Sequence, residues 1–314
     1  MNKKICFYHA VDLDGKCSGA IFRFVHERIL DHRSEDVELI PFNYGDDLDL
    51  NKVADCDVYF VDCNPQPLEK WLEPLTSKAS SVTIIDHHKS LLEDPVYLKA
   101  VEEGKIFSYS RIGIGACALV WEYFFDVLKV EHLVQMPETI LLLAKYDAWC
   151  DEDKEEWDNQ ILPFQYGVRL VKLNPIKDFD KWVSLFSDKN ITKHIERGKA
   201  ILTYEKNRLA GRCKSAAFEA VINGRKAICI NSDSKSSMTL ESVFDPEKHE
   251  VMCVYNHSFN VVKNRLEYSI SFYSTREDVD CSLLAKELGG GGHKGAAGCM
   301  ATSLTFDGKE LILT

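Results

Sequence analysis

Ser81-Val82-Thr83-Ile84-Ile85-Asp86-His87-His88 is the stretch that decides how this chain folds. Ser81 to Ile85 is an apolar run of the length of one buried strand. A carboxylate and two imidazoles follow where that strand would end. In an open α/β sheet, ligands bind just outside the carboxyl ends of the strands. Three metal-capable side chains at such a point have few purely structural explanations.

Working outward, the arrangement recurs. Ile5-Cys6-Phe7-Tyr8 reads as a strand ending in His9, followed by Asp12, Asp14 and Gly15. Val58-Tyr59-Phe60-Val61 reads as a strand ending in Asp62, and Val37 to Phe42 as a further one. Between them, Ser18 to Leu30 reads as a helix with Ala20, Ile21, Phe24, Val25 and Ile29 on one side. Ala116 to Val130 reads as helical, and Thr139 to Tyr146 as a buried helix ending in Asp147. Short apolar runs alternating with helices predict a doubly wound parallel sheet. All strand ends then share one edge, and the polar residues that follow them can converge.

Taken singly, these residues have plainer readings. Asp12 and Asp14 before Gly15 suit a turn or a helix cap. Asp62 before Cys63-Asn64-Pro65 suits a turn. Asp147 opposes the dipole at a helix C-terminus, which favours a functional reason. The joint pattern carries the argument. Carboxylates with imidazoles and no thiolate suit Mn²⁺ or Mg²⁺, with Zn²⁺, Co²⁺ and Fe²⁺ disfavoured. So many carboxylates would repel one another unless cations neutralised them. There are ligands enough for two.

The composition bounds the rest. The chain has 314 residues, 45% hydrophobic and 28% charged, which fits a soluble globular protein of two domains. No apolar run approaches the ~20 residues of a membrane helix, and the N-terminus lacks the apolar core of a signal peptide. The 11 cysteines include no CxxC pair and read as free thiols of a reducing cytosol. A net charge of -11 without a basic block argues against gripping duplex DNA. Small anionic substrates remain open, because bound cations reverse the local field.

Residues 191–215 read as a polar helix joining two halves. Beyond it, Ala227 to Ile230, Val251 to Tyr255 and Tyr268 to Tyr273 read as strands, and Asp280 to Leu288 as a helix. Leu288-Gly289-Gly290-Gly291-Gly292-His293-Lys294-Gly295 follows. Glycines let backbone N–H groups approach an anion, and a helix starting just after the run would add its positive end. The alternative is a flexible linker. Tyr273 suits base stacking and Arg276 a phosphate contact, or an ordinary sheet residue beside a solvated arginine. Arg111, before Ile112-Gly113-Ile114-Gly115, could also reach the cleft, but reads first as a solvated arginine.

His9-Ala10-Val11-Asp12-Leu13-Asp14-Gly15, Val61-Asp62, Asp86-His87-His88 and Tyr146-Asp147, in that order, resemble the four motifs of the DHH phosphoesterase superfamily. That superfamily includes the exonuclease RecJ, nano-RNases, pApA and cyclic-di-AMP phosphodiesterases, and family II pyrophosphatases. The glycine run resembles the GGGH motif of the DHH-associated C-terminal domain. The resemblance implies a DHH catalytic domain over 1–190, a helical linker over 191–215 and a smaller α/β substrate-binding domain over 216–314. His9 and Asp12 would hold one cation, Asp14, His87 and Asp147 a second, and Asp62 would bridge them. Asp86 would fix an imidazole tautomer, and His88 would face the substrate as phosphate contact or proton donor. Gly290, Gly291, Gly292, His293, Lys294, Arg276 and Tyr273 would bind the non-reacting part of the substrate.

The cofactors so implied are two divalent cations, Mn²⁺ first and Mg²⁺ or Co²⁺ as alternatives. The reaction implied is attack of hydroxide, held between the cations, on the phosphodiester of a short single-stranded oligonucleotide or dinucleotide, releasing 5′-mononucleotides. Hydrolysis of pAp, of cyclic or linear dinucleotide messengers, or of polyphosphate uses the same core. A catalytically silent nucleotide sensor is the alternative of another class. The expected protein is cytoplasmic, acts away from membranes and duplex DNA, and by analogy with nano-RNases forms a homodimer. Two residues separate His9 from Asp12, a spacing shared with RecJ, whereas nano-RNases and pyrophosphatases have three; the motif leaves the substrate open.

Overall fold

The computed structural model describes residues 2–130, 135–261 and 263–313. The chain divides into two compact units, Met1–Ile201 and Leu202–Thr314.

The first unit begins with strand β1 (Lys4–His9) and helix α1 (Leu13–Phe24), which continues as a π-type turn over Val25–Ile29. Strands β2 (Val37–Phe42) and β3 (Asp57–Val61) lead to helix α2 (Leu68–Lys78) and strand β4 (Ser81–Ile85). Then come the short helix α3 (Lys89–Leu92), α4 (Pro95–Glu102), β5 (Phe107–Ser108), α5 (Ala116–Glu122) and α6 (Glu138–Asp147). Helices α7 (Lys154–Glu156), α8 (Leu162–Val168), α9 (Phe179–Phe186) and α10 (Ile191–Ala216) follow.

The five strands pair in parallel in the order β2-β1-β3-β4-β5. Side chains alternate across a strand, and here both faces are covered. Ile5 and Phe7 of β1 pack with Phe60, Trp71, Leu75 and Tyr97, under α2 and α4. Cys6 and Tyr8 pack with Ile21, Phe22, Phe124 and Leu143, under α1, α5 and α6. Burial on both faces is why the strands read as continuous apolar runs. The strand order reverses between β1 and β3, whose ends carry His9 and Asp62. Such a switch point is where open α/β sheets place their ligands.

Within the second unit, β6 (Phe218–Ile222), β7 (Arg225–Asn231), β8 (Val251–Asn260) and β9 (Arg265–Tyr273) precede helix α11 (Cys281–Glu287). Strands β10 (Gly291–Gly292) and β11 (Ala296–Ala301) complete a sheet of order β10-β11-β9-β8-β7-β6. Val251, Cys253, Ile270, Phe272 and Leu284 form its core. No helix follows the glycine run: the next element is β11, which pairs along β9 from Ala296 opposite Tyr273 to Ala301 opposite Tyr268. The run itself is one arm of a hairpin, with Gly291 opposite Gly298 and the His293 N–H donating to Ala296 O at 2.8 Å. The His293 N–H is spent on that hairpin, and a strand stands where a helix start would have added its positive end.

All 11 cysteines are free, and all but Cys150 are buried. Among the described residues no helix is long and apolar enough to cross a membrane.

Candidate metal centre

Each residue of the centre is placed by the turn that follows its element. His9 ends β1. Asp12 is the N-cap of α1 and accepts the Gly15 N–H at 2.9 Å. A Cβ on Gly15 would lie 2.2 Å from the His9 carbonyl oxygen, so only glycine lets α1 start this close to β1. Asp14, in the first turn of α1, accepts the N–H groups of Ala116 at 2.6 Å and Cys117 at 2.9 Å. These are unpaired donors at the start of α5, the end of a helix that favours an anion. Asp62 follows β3 with a left-handed backbone, φ 58°, and its N–H donates to Ile85 O at 2.9 Å. A non-glycine residue held there marks a site where strain accompanies function. Asp147 is the last residue of α6.

These side chains converge. His9 Nδ1 lies 2.9 Å from Asp12 Oδ2 and 3.4 Å from Asp62 Oδ2. His87 Nε2 lies 3.4 Å from Asp62 Oδ1, 3.1 Å from Asp147 Oδ2 and 3.9 Å from Asp14 Oδ2. Ligand atoms of His9, Asp12 and Asp62, and separately those of Asp14, His87 and Asp147, all fall within 4.8 Å of one another. Asp62 touches both groups, one oxygen to each.

The donor set fits a divalent cation on a further observation. His9 Nδ1, Asp62 Oδ1 and His87 Nε2 are buried and make no hydrogen bond of proper geometry, although carboxylates and imidazoles crowd round them. Buried polar atoms are almost always satisfied; these aim at shared points instead of at each other. Divalent cations suit such a cluster, and its carboxylate–imidazole chemistry favours hard, oxygen-preferring ions.

The electrostatics agree. Burial, then the charges of Asp62 and Asp147, push the Asp14 carboxyl well up. Burial raises Asp62 too, against the pull of the nearby His87 and His9. Burial disfavours charge on the imidazoles, but Asp12 and Asp62 hold His9 up at about 10, and Asp147 and Asp62 hold His87 up at about 12. Without cations the cluster shares protons, because like charges this close cannot all persist.

Asp86 groups within the same reach with Asp62, His87 and His88, yet its oxygens are engaged. Oδ1 accepts the N–H groups of His87 at 2.7 Å and His88 at 3.1 Å, and contacts His88 Nδ1 at 2.7 Å. Oδ2 accepts Asn64 Nδ2 at 3.3 Å, and the Asp86 N–H donates to Ser110 Oγ at 3.0 Å. Asp86 therefore orients its neighbours. Burial would lower His88, but Asp86 raises it to about 8. Asn64, Ser110 and Tyr44 escaped the sequence reading; Tyr44 lies edge-on to His88 with ring centroids 6.0 Å apart. Asn64 was legible only as a turn residue, and Tyr44 and Ser110 carry no local signal.

Arg111 pairs with Glu122 at 2.7 Å. In the second unit, Arg276 forks onto Asp278 at 2.9 and 2.6 Å and donates to Pro246 O at 3.0 Å. Tyr273 packs against Ile228, Ile230 and Met252, while His293 and Lys294 are exposed.

No protein-family model matches this chain. An uncharacterised protein of Acanthamoeba polyphaga mimivirus is 23% identical over 305 residues, 94% of this chain; the chain spans 66% of that relative's length. A DHH domain described as belonging to a family of ribosomal proteins is 14% identical, with a TM-score of 0.55 and coverage of 95% of this chain and 82% of its own. An exopolyphosphatase-related protein from Bacteroides fragilis is 15% identical, covering 98% and 87% of the two chains at a TM-score of 0.49. With β1, β3 and β4 side by side and Asp86-His87-His88 at the edge they share, the chain has the fold of the DHH-domain proteins.

Proposed function

We propose that this chain is a metal-dependent phosphoesterase that hydrolyses phosphodiester bonds in short single-stranded oligonucleotides or dinucleotides, releasing 5′-mononucleotides. One observation carries the reading: at the switch point of a parallel sheet, Asp62 groups with His9 and Asp12 and lies 3.4 Å from His87, which groups with Asp14 and Asp147. A pair of divalent cations, Mn²⁺ foremost, held by His9, Asp12 and Asp62 and by Asp14, His87, Asp147 and Asp62, would neutralise phosphate charge and acidify the attacking water.

The chain's own residues do the rest. Asp14 is locked by the α5 backbone and Asp12 by Gly15, so both carboxylates are oriented before any substrate arrives. Asp86 engages His88 Nδ1, so proton transfer or phosphate contact by this ring runs through Nε2. His88 is half-buried at the rim, where a substrate oxygen has access. Contacts from Gly290, Gly291, Gly292, His293, Lys294, Tyr273 and Arg276 to the non-reacting part of the substrate belong to the same proposal.

The test is one panel with Mn²⁺: pApA, a five-nucleotide RNA, pAp, cyclic dinucleotides, single-stranded DNA, polyphosphate and a generic diester. Turnover of pApA and the short RNA is expected, with Asp62→Ala and His87→Ala lowering kcat by at least about a hundredfold. Unchanged rates in those variants would sink the two-cation reading. Binding without turnover of any member would make the chain a sensor.

A further inference from the structure

A cavity of about 730 Å³ opens beside the metal centre, within the first unit. Asp12 forms part of its wall, so it abuts the group of His9, Asp12 and Asp62. Lys16 of α1 and Arg169, Lys172 and Lys177 from the segment after α8 line the rest, over an apolar surface that includes Leu13 and Leu173.

The charge balance there is unusual for this chain. Acidic residues outnumber Lys and Arg 49 to 38, yet four cations face this one space. Among the described residues none of the four forms an ion pair. Lys16 Nζ donates only to the Val11 carbonyl, at 3.0 Å. The Arg169 guanidinium lies 5.6 Å from the ring of Tyr146 and 5.2 Å from that of Tyr166, which hold it without neutralising it. Asp178, the other lining carboxylate, is engaged by Lys181 at 2.6 Å and by the Asn174 N–H at 3.1 Å. Elsewhere on this unit Lys3, Arg23, Lys70 and Lys145 each close onto an Asp or Glu. Unneutralised cations round a cavity form an anion site. Tyr146 precedes Asp147 in the chain, so the stacked Arg169 is tied in position to a residue of the second ligand group.

Building on the phosphoesterase reading, we propose that this cavity binds a second phosphate of the substrate, the one adjoining the phosphate that reacts. It would make Lys16, Arg169, Lys172 and Lys177 the determinants of preference for substrates with two or more phosphates. The cavity has room for a nucleotide as well as a bare phosphate. The same chemistry serves the terminal phosphate of a dinucleotide and the next link of a phosphoanhydride chain.

The test uses the full chain and the double variant Lys172→Ala/Lys177→Ala, with Arg169→Ala as an independent second variant. These side chains are exposed, and a matched circular-dichroism melt checks the fold. In EDTA, titration calorimetry measures binding of pApA and of inorganic tripolyphosphate. The dissociation constant is expected to rise at least tenfold in both variants, and Lys172→Arg/Lys177→Arg is expected to restore it. Weakening for pApA alone assigns the site to a nucleotide phosphate; weakening for tripolyphosphate alone assigns it to a phosphoanhydride chain. With Mn²⁺, the preference in kcat/KM for pApA over ApA, which lacks the terminal phosphate, is expected to fall at least tenfold. Unchanged dissociation constants, or an unchanged preference, would overturn the inference. Absence of any turnover by the unmutated protein would instead overturn the phosphoesterase reading, and the EDTA titrations would still decide whether the cavity binds phosphate.

Discussion

Asp62→Asn separates the metal role of the cluster from its structural one. Asn tolerates the left-handed backbone at φ 58°, so the change removes a charge and little else. In metal-free protein the variant should be no less stable than the parent, and more so if buried repulsion dominates, because Asp62 lies among Asp12, Asp14 and Asp147. Added cation should stabilise the parent by mass action, about 2.7 kcal/mol for each site at a hundredfold excess over its dissociation constant. Two sites give about 5 kcal/mol. For a unit of this size, Met1–Ile201, each kcal/mol moves Tm by about 2–4 °C, so the parent should gain about 10–20 °C. Asp12→Ala, which touches one group, should keep about half of that gain, by the same linkage. Asp62→Asn, which touches both, should lose most of it. The assay is differential scanning calorimetry in EDTA and in excess Mn²⁺, with calorimetric titration counting sites. Full retention of the metal-induced shift by Asp62→Asn would show that Asp62 bridges nothing. Equal losses in the two variants would show that the groups are not separate.

Gly115→Ala should cost about 1–3 kcal/mol in a urea titration, because its Cβ would lie 2.8 Å from Ala144 Cα and 2.9 Å from Asp14 Oδ1; an unaltered midpoint would mean that α5 shifts freely. The buried His26, whose Nδ1 is 3.0 Å from His32 Nδ1, offers a pH test. Burial, then His32 and Lys4, hold its pKa down at about 3, against an ordinary 6.5. The unfolded chain therefore binds a proton that the folded chain refuses, and stability falls as pH drops from 6.5 towards 3. By pH 5 the cost is about 2 kcal/mol. His26→Phe, set among Phe22, Tyr59 and Phe124, should remove that component, seen as a shallower loss of Tm between pH 7.5 and 5; parallel profiles would refute it.

What could be read beforehand follows from how each element is stabilised. β4 was legible to the residue because burial on both faces leaves an unbroken apolar run. The centre was legible because its members sit where such runs stop. α2 was missed: Pro74 lies inside it and argues locally against a helix. α4 need not have been, since Asp94 before Pro95 is a plain capping signature and does accept the N–H groups of Val96 and Tyr97. α1 begins five residues before the predicted start at Ser18 because Asp12 is both cap and candidate ligand. Ala296–Ala301 has no strand composition; its pairing along β9 makes it one. The cationic cavity joins Lys16 to residues some 150 positions later, a juxtaposition that no local pattern announces.

The placement of backbone donors around the carboxylates explains why one residue should govern the cluster. Asp12, Asp14 and Asp86 each accept backbone N–H groups, and each keeps its orientation from local chain geometry alone. Those donors also offset part of the charge they orient, as amides at helix starts do. No backbone donor reaches the Asp62 carboxylate among the described bonds; its main chain is fixed by φ 58° and by Ile85, and its oxygens meet only imidazoles. A rigid backbone thus carries a carboxylate that no backbone donor reaches into the gap between carboxylates that have such donors. In the bare fold that arrangement costs stability, and with cations on both sides it would be the shared ligand. A substitution at Asp62 should therefore exchange metal binding for stability more directly than one at Asp12 or Asp14, where the lost carboxylate also strands backbone donors at a helix start.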